Sequence, residues 1–318
     1  MNSSKRSDRA VSITMSDRLG EWRRLVDCCG RRPTRKRVHA LRVVTLRLQA
    51  ELDIHLADLP RASHRAQAIL EFSRQGEKLR GALGPVREFD VWISKLQGLR
   101  ASFAESAAGY VPQTTRECIR QIERLELRLK EKRRRLEKKL VVAIGKRKGD
   151  FAAAADEIDL SMDEPAGDAG VDAVSVIRTR FAEVAKDFPA FDAENLHDFR
   201  KRIKMVRYLA EIHAADPACG RIAAQMKKLQ SAIGEWHDWQ ALAREALRGH
   251  RVKSKDLAEL LDSVAAESLE SALATCHSIT ARLIGERTAP AEASHVLGRK
   301  LPTRSNQDSS EAAGRKLA

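Results

Sequence analysis

The sequence contains few aromatic residues and few cysteines. Of its 318 residues, 4% are aromatic and five are cysteines. The cysteines have neither the spacing of a metal site nor that of a redox pair, and their odd count does not suit a disulfide framework; they are Cys28, Cys29, Cys118, Cys219 and Cys276. We therefore expect free thiols in a reducing compartment.

The sequence also lacks long hydrophobic runs. None approaches the roughly 20 apolar residues that cross a bilayer. The N-terminus, MNSSKRSDRAVS, is polar and lacks the apolar core of a signal peptide. These features predict a cytoplasmic protein without membrane association.

Glycine and proline are sparse between residues 35 and 160, and apolar residues recur there every three or four positions. This periodicity predicts α-helices, and no segment predicts a strand. The fold class is therefore expected to be all-α. We predict a helix corner at Gly84–Pro85 and a second helix break between Ile233 and Glu235, so that Arg87 and His237 each lie at a helix start.

Composition divides the chain into five segments. We predict a disordered N-terminus (1–15), a first helical half (16–155), an acidic linker (156–172), a second helical half (173–285) and a disordered tail (286–318). The linker contains proline and glycine among acidic residues, and the tail has few large apolar residues.

Positive charge is in excess. Lys and Arg total 58 against 44 Asp and Glu, a formal net charge of +14. Such an excess attracts polyanions without identifying one, so charge alone does not distinguish nucleic acid, an acidic membrane surface and inorganic phosphate polymers.

One stretch, NLHDFRKRIKMVRY (195–208), concentrates this charge on one side of a helix. At about 100° per residue, its cationic residues fall within a sector of about 120°; they are His197, Arg200, Lys201, Lys204 and Arg207. The apolar residues lie outside that sector. A solvated helix face normally mixes charge signs, so a face of one sign indicates an anionic partner.

The stretch has an internal counterpart. Residues 36–55 align with 194–213, which superposes His39 on His197 and Arg42 on Arg200. Downstream, LRGALGPVREFDVW (79–92) aligns with LQSAIGEWHDWQAL (229–242), which superposes Gly84 on Gly234 and Arg87 on His237. Two motif pairs in the same order predict two similar helical units of about four helices each.

These motifs resemble the CHAD family, the conserved histidine α-helical domain. The second half matches through His197, Arg200, Lys204, Arg207 and the element from Gly234 to Asp238, although Met205 replaces a usual basic residue. The first half keeps His39, Arg42 and Arg47. In that half Leu46 and Gln49 stand where the family has cations, so we expect it to contribute less to binding.

The resemblance implies two pseudo-symmetric four-helix bundle repeats that enclose a basic central groove or cavity. It also implies binding of inorganic polyphosphate, often at polyphosphate granules. Nothing in the chain resembles the CYTH triphosphatase to which some relatives are fused, so we expect a stand-alone, non-enzymatic binding module without a cofactor. The expected ligand-binding residues are His39, Arg42, Arg47, Arg87, His197, Arg200, Lys201, Lys204, Arg207 and His237.

Two alternatives have weaker support. The charge equally suits an RNA- or DNA-binding module, but single-strand binders stack bases on aromatic rings, which are few here. A metal-dependent phosphohydrolase would need clustered metal ligands or a nucleophile–base pair, and neither pattern is visible.

Overall fold

The computed structural model describes residues 14–57, 59–106, 113–161, 172–248 and 255–285. Within these ranges the chain forms eight α-helices and no strand, which confirms the predicted all-α class. The helices are α1 (Met15–Arg31), α2 (Arg35–Ala57), α3 (His64–Ser106), α4 (Gln113–Ser161), α5 (Ala173–Lys186), α6 (Leu196–Ile212), α7 (Pro217–Leu247) and α8 (Lys255–Gly285).

Side-chain caps fix the beginnings of several helices. At α1, the Thr14 hydroxyl accepts a hydrogen bond from the Asp17 amide at 3.1 Å, and the Asp17 carboxylate accepts one from the Thr14 amide at 3.0 Å. At α7, the Asp216 carboxylate accepts from the Ala218 amide at 2.7 Å, and Pro217 occupies the first helical position. Each cap satisfies a backbone donor that has no partner inside the helix.

Two core clusters lie in the two halves of the chain. The first joins α1, α2, the beginning of α3 and the end of α4, and it contains the ring contacts of Trp22 with Phe72 and Phe151. The second joins α5, α6, the beginning of α7 and the end of α8 around Phe181 and Phe199, whose ring centroids are 6.5 Å apart. Four helices therefore contribute to each cluster.

A third core cluster joins both halves. The end of α3 and the start of α4 supply Trp92 and Leu125, while the end of α7 and the start of α8 supply Leu242 and Leu257. Each of the four long helices thus contributes to two cores. This sharing ties α3 to α7, and α2 packs directly against α6. The helices that carry the repeated motifs are therefore held together.

The predicted corner at Gly84–Pro85 is wrong, because α3 runs without interruption through both residues. Leu83 and Val86 are both buried in the first core, so packing continues on either side of the proline. Gly84 has no Cβ atom to crowd the proline ring, which is the usual obstacle to a helical residue before proline. Residue 81, whose carbonyl loses its helical donor at Pro85, is exposed and can be solvated.

The predicted break between Ile233 and Glu235 is also wrong, because α7 continues to Leu247. Arg87 and His237 consequently lie inside helices rather than at helix starts. Neither residue therefore lies at a helix N-terminus where an anion could bind. Both errors have one cause: buried side chains on each side of the glycine keep the helix intact.

The predicted linker and ends are described only in part. Helix α4 continues to Ser161 and buries Ile158, so residues 156–161 belong to the helix. Thr14 and Met15 form the cap and first residue of α1. Residues 1–13, 162–171 and 286–318, where the remainder of these predictions falls, lie outside the described residues.

Candidate anion-binding site

The two repeat-related arginines make the same kind of contact. Arg42 on α2 donates from Nη1 to the carbonyl oxygen of Arg80 on α3 at 3.5 Å. Arg200 on α6 donates from Nε to the carbonyl oxygen of Gln230 on α7 at 3.2 Å. Residues 80 and 230 are equivalent in the internal alignment. Each motif arginine is thus fixed to the backbone of the helix that carries the second motif of its own half.

Lys204 lies among cations contributed by both halves. Burial and, in decreasing order, the charges of Arg200, Arg42, Arg80 and Arg207 together lower its pKa to about 8. Lys204 is half-buried, so these charges act through a medium less polar than bulk water. We call Arg42, Arg80, Arg200 and Lys204 the central cluster.

Three cations of the central cluster lack a carboxylate partner among the described residues. Within the part of the chain that the structure describes, Arg42, Arg200 and Lys204 form no ion pair with a carboxylate. Burial lowers the pKa of Arg42 and of Arg200; Arg80 and Arg200 lower that of Arg42 further, whereas the charge of Asp238 partly offsets the lowering at Arg200. Half-buried cations without carboxylate partners raise the free energy of the unliganded protein. An anion that entered the cluster would remove this repulsion.

Gly234 explains how Arg200 reaches its position. A Cβ atom at residue 234 would lie 3.0 Å from Nη2 and 3.3 Å from Nε of Arg200. The guanidinium therefore lies against bare backbone on α7. Gly84 does not have the same function, because nothing lies within 4 Å of the position that its Cβ atom would take. The two equivalent glycines therefore have different surroundings, and only Gly234 makes room for an arginine.

The histidines flank the arginines in both halves. His197 and His237 stack with ring centroids 4.8 Å apart and an interplanar angle of 19°. Nδ1 of His197 is buried and has no hydrogen-bond partner among the described residues. Partial burial lowers the pKa of His197, with further lowering by Lys201, His237 and Arg200. His197 is therefore mostly neutral at neutral pH.

His39 occupies the equivalent place in the first half. Desolvation lowers its pKa, and Arg87, Arg35 and Arg42 lower it further. Arg87 lowers the pKa of His39, and His237 lowers the pKa of His197. The two pairs are equivalent in the internal alignment. The His39 side chain is exposed, whereas His197 is half-buried. Like His197, it is mostly neutral at neutral pH.

Arg87 extends the basic surface into a cavity between α3 and α7. The cavity has a volume of about 540 Å³, and its lining includes Arg35, Arg87, Lys95, Asp238 and Trp239. Lys95 lies over the Trp239 ring, 4.2 Å from its centroid, and also pairs with Glu235. The cavity is therefore mixed in charge, in contrast to the central cluster.

A family comparison shows which family the chain belongs to. The family model described as "CHAD domain" matches residues 15–248, which is most of the chain. The protein belongs to the CHAD family. A comparison with curated proteins and with solved structures found no match. The match begins with α1 and ends just after α7, so it includes both motif helices and both histidines of the stacked pair.

The remaining predicted residues lie at the edge of the candidate anion-binding site. Lys201 is exposed and pairs with Asp198 at 3.1 Å. Arg47 is also exposed, and its Nε lies 3.3 Å from Oε2 of Glu211. Arg207 lies 2.9 Å from Oε1 of the same carboxylate and stacks on the Tyr208 ring. These cations are therefore partly neutralised.

Arg80 and Glu211 are site residues that the motif comparison missed. Arg80 lies seven residues before Arg87, and this spacing places the two residues on the same face of α3. This spacing is a sequence signal that predicts Arg80 at the site. Glu211 gave no comparable signal, because its role depends on α2 packing against α6.

The candidate anion-binding site consists of cations and histidines. Among the residues that the structure describes, no group of three or more His, Cys, Asp or Glu side chains is placed to hold a metal ion. None of the described helices is both long enough and apolar enough to span a bilayer.

Proposed function

We propose that this CHAD protein binds inorganic polyphosphate without hydrolysing it, through the central cluster and the histidines beside it. The observation that carries the proposal is the convergence of Arg42 from α2 with Arg200 and Lys204 from α6. Two distant parts of the sequence thus supply one group of cations that lacks carboxylate partners among the described residues.

The chemistry of the cluster suits a flexible chain of phosphates. Arginine offers a planar pair of donors to phosphate oxygens, and lysine offers a compact charge that adjusts to the ligand. A single small anion would neutralise only part of the cluster. A polymer with a charge on every unit can compensate all of it, and Arg87 extends the basic surface for further units.

The proposal includes a pseudo-symmetric architecture. Each half would be a four-helix repeat, and a basic groove would run between the repeats where α2 meets α6. Two findings support it: four helices contribute to the core of each half, and Arg42 and Arg200 make matching backbone contacts. The third, shared core would hold the two repeats at a fixed separation.

Binding without catalysis would place the protein wherever polyphosphate accumulates, including cytoplasmic granules. The central cluster consists of arginines and one lysine that is mostly charged at neutral pH, and such cations stabilise an anion. Glu88 and Asp238 lie near the arginines, and Asp238 is among the charges that act on Arg87 and Arg200. Their role in this proposal is to orient those arginines.

The test uses the purified protein and two polymers. Long-chain polyphosphate is titrated by calorimetry at moderate salt beside single-stranded RNA with the same number of charges. We expect tight polyphosphate binding that weakens as salt rises, since neutralised charges release counterions. We also expect polyphosphate to displace RNA far better than RNA displaces polyphosphate. Stronger binding of RNA would instead identify a nucleic-acid module, and release of phosphate with Mg²⁺ or Mn²⁺ would identify an enzyme.

A further inference from the structure

Glu211 holds two of the cations at the edge of the site. Its Oε2 atom lies 3.3 Å from Nε of Arg47 on α2, and its Oε1 atom lies 2.9 Å from Nη1 of Arg207 on α6. One carboxylate thus bridges the two motif helices. The side chains of Glu211 and Arg207 are only 21% and 15% exposed, so water screens this pair less than an ordinary surface pair.

This contact divides the cations of the site into two groups. Arg42, Arg200 and Lys204 have no carboxylate partner within the described ranges, so an anion can pair with them without displacing one. Arg47 and Arg207 already have one. A ligand that reaches them must either displace Glu211 or accept its repulsion.

We propose that Glu211 limits the length of polyanion that the site binds favourably, because it competes with the ligand for Arg47 and Arg207. This inference rests on the proposed function. A short chain would lie on the unpartnered cations and never meet the carboxylate. A longer chain would extend along α2 and α6 to Glu211, where the protein supplies its own negative charge.

The first half has an acidic residue at the equivalent position. Asp53 aligns with Glu211 in the internal repeat, and its charge acts on Arg80. Asp53 is exposed, whereas Glu211 is half-buried. Substitution of Asp53 removes the same charge from the same repeat position and leaves in place the contacts of Glu211 with Arg47 and Arg207.

The test compares short and long polyphosphate chains on Glu211→Gln, which keeps the shape of the side chain and removes its charge. We expect binding of long chains to tighten about tenfold, corresponding to about one displaced charge-assisted contact. Binding of short chains should change less than about threefold. The salt dependence for long chains should steepen, because up to two more cations are neutralised.

Two further variants make the result specific. Asp53→Asn should alter short-chain and long-chain binding by the same small factor. In the double variant Glu211→Gln/Arg47→Gln, part of the gain for long chains should disappear, because one released cation is gone. An equal effect of Glu211→Gln on both lengths, or no effect, would overturn the inference while leaving wild-type polyphosphate binding intact. Failure of the wild-type protein to bind either length would instead refute the proposed function.

Discussion

The guanidinium of Arg200 lies so close to Gly234 that a Cβ atom at residue 234 would stand 3.0 Å from its Nη2 atom. The same guanidinium donates to the carbonyl oxygen of Gln230 at 3.2 Å. Arg200 is therefore positioned by a bare stretch of α7 backbone, and a glycine inside a long helix is accounted for by a contact across the site.

Gly234→Ala should separate stability from binding. Alanine is favoured over glycine in a helix interior by about 1 kcal/mol, so the fold should tolerate the change. The added methyl group must displace the flexible end of Arg200, and polyphosphate binding should weaken about fivefold to tenfold. Thermal unfolding and calorimetric titration together measure the two effects.

Gly145→Ala provides the matched control. Residue 145 is an exposed position of α4 with nothing within 4 Å of the added Cβ atom. This variant should gain helix stability and bind polyphosphate like wild type. If Gly234→Ala also bound like wild type, the contact with Arg200 would have no role in positioning it.

Lys204 should make binding depend on pH in the alkaline range. Burial, followed by the surrounding arginines, lowers its pKa to about 8, so it loses its charge in the unliganded protein as pH rises above that value. A bound polyanion favours the charged form, which means that binding takes up a proton there. We expect affinity to fall about tenfold between about pH 7 and pH 9.

Lys204→Met tests the origin of this pH dependence. Methionine keeps an unbranched side chain and cannot titrate. The variant should bind more weakly at neutral pH, and its affinity should change little as the solution becomes alkaline. Calorimetry in two buffers with different ionisation enthalpies measures the proton uptake directly. Equal proton uptake by wild type and by the variant would show that another group is responsible.

Much of the fold could be predicted from the sequence because helix signals are local. Helix α2 is an example, since basic residues and an apolar repeat mark its length and Leu59–Pro60 follows its end. The corner at Pro85 could not be excluded in the same way. Its outcome depends on Leu83 and Val86 packing into one core, which is a property of the folded chain.

The candidate site shows the same limit. The repeat alone paired Arg42 with Arg200, and the structure gives both arginines matching backbone contacts. The smaller contribution expected of the first half stays a prediction, although Arg42 and Arg80 of that half both act on Lys204. Gln49 illustrates the reason for the asymmetry: it is buried and donates to the carbonyl oxygen of Ser73 at 3.0 Å, where an arginine would have to be accommodated.

The most direct test of the account removes the cations that α6 supplies. The α6 variant is Arg200→Ala/Lys204→Ala/Arg207→Ala. The control is Arg134→Ala/Lys138→Ala/Lys139→Ala, which also removes three positive charges, but from exposed positions of α4. Circular dichroism confirms that both variants are helical before long-chain polyphosphate is titrated at moderate salt. We expect the α6 variant to bind at least about a hundredfold more weakly than wild type and the α4 variant to lose less than about threefold. Equal losses in the two variants, or wild-type affinity in the α6 variant, would contradict the assignment of the site.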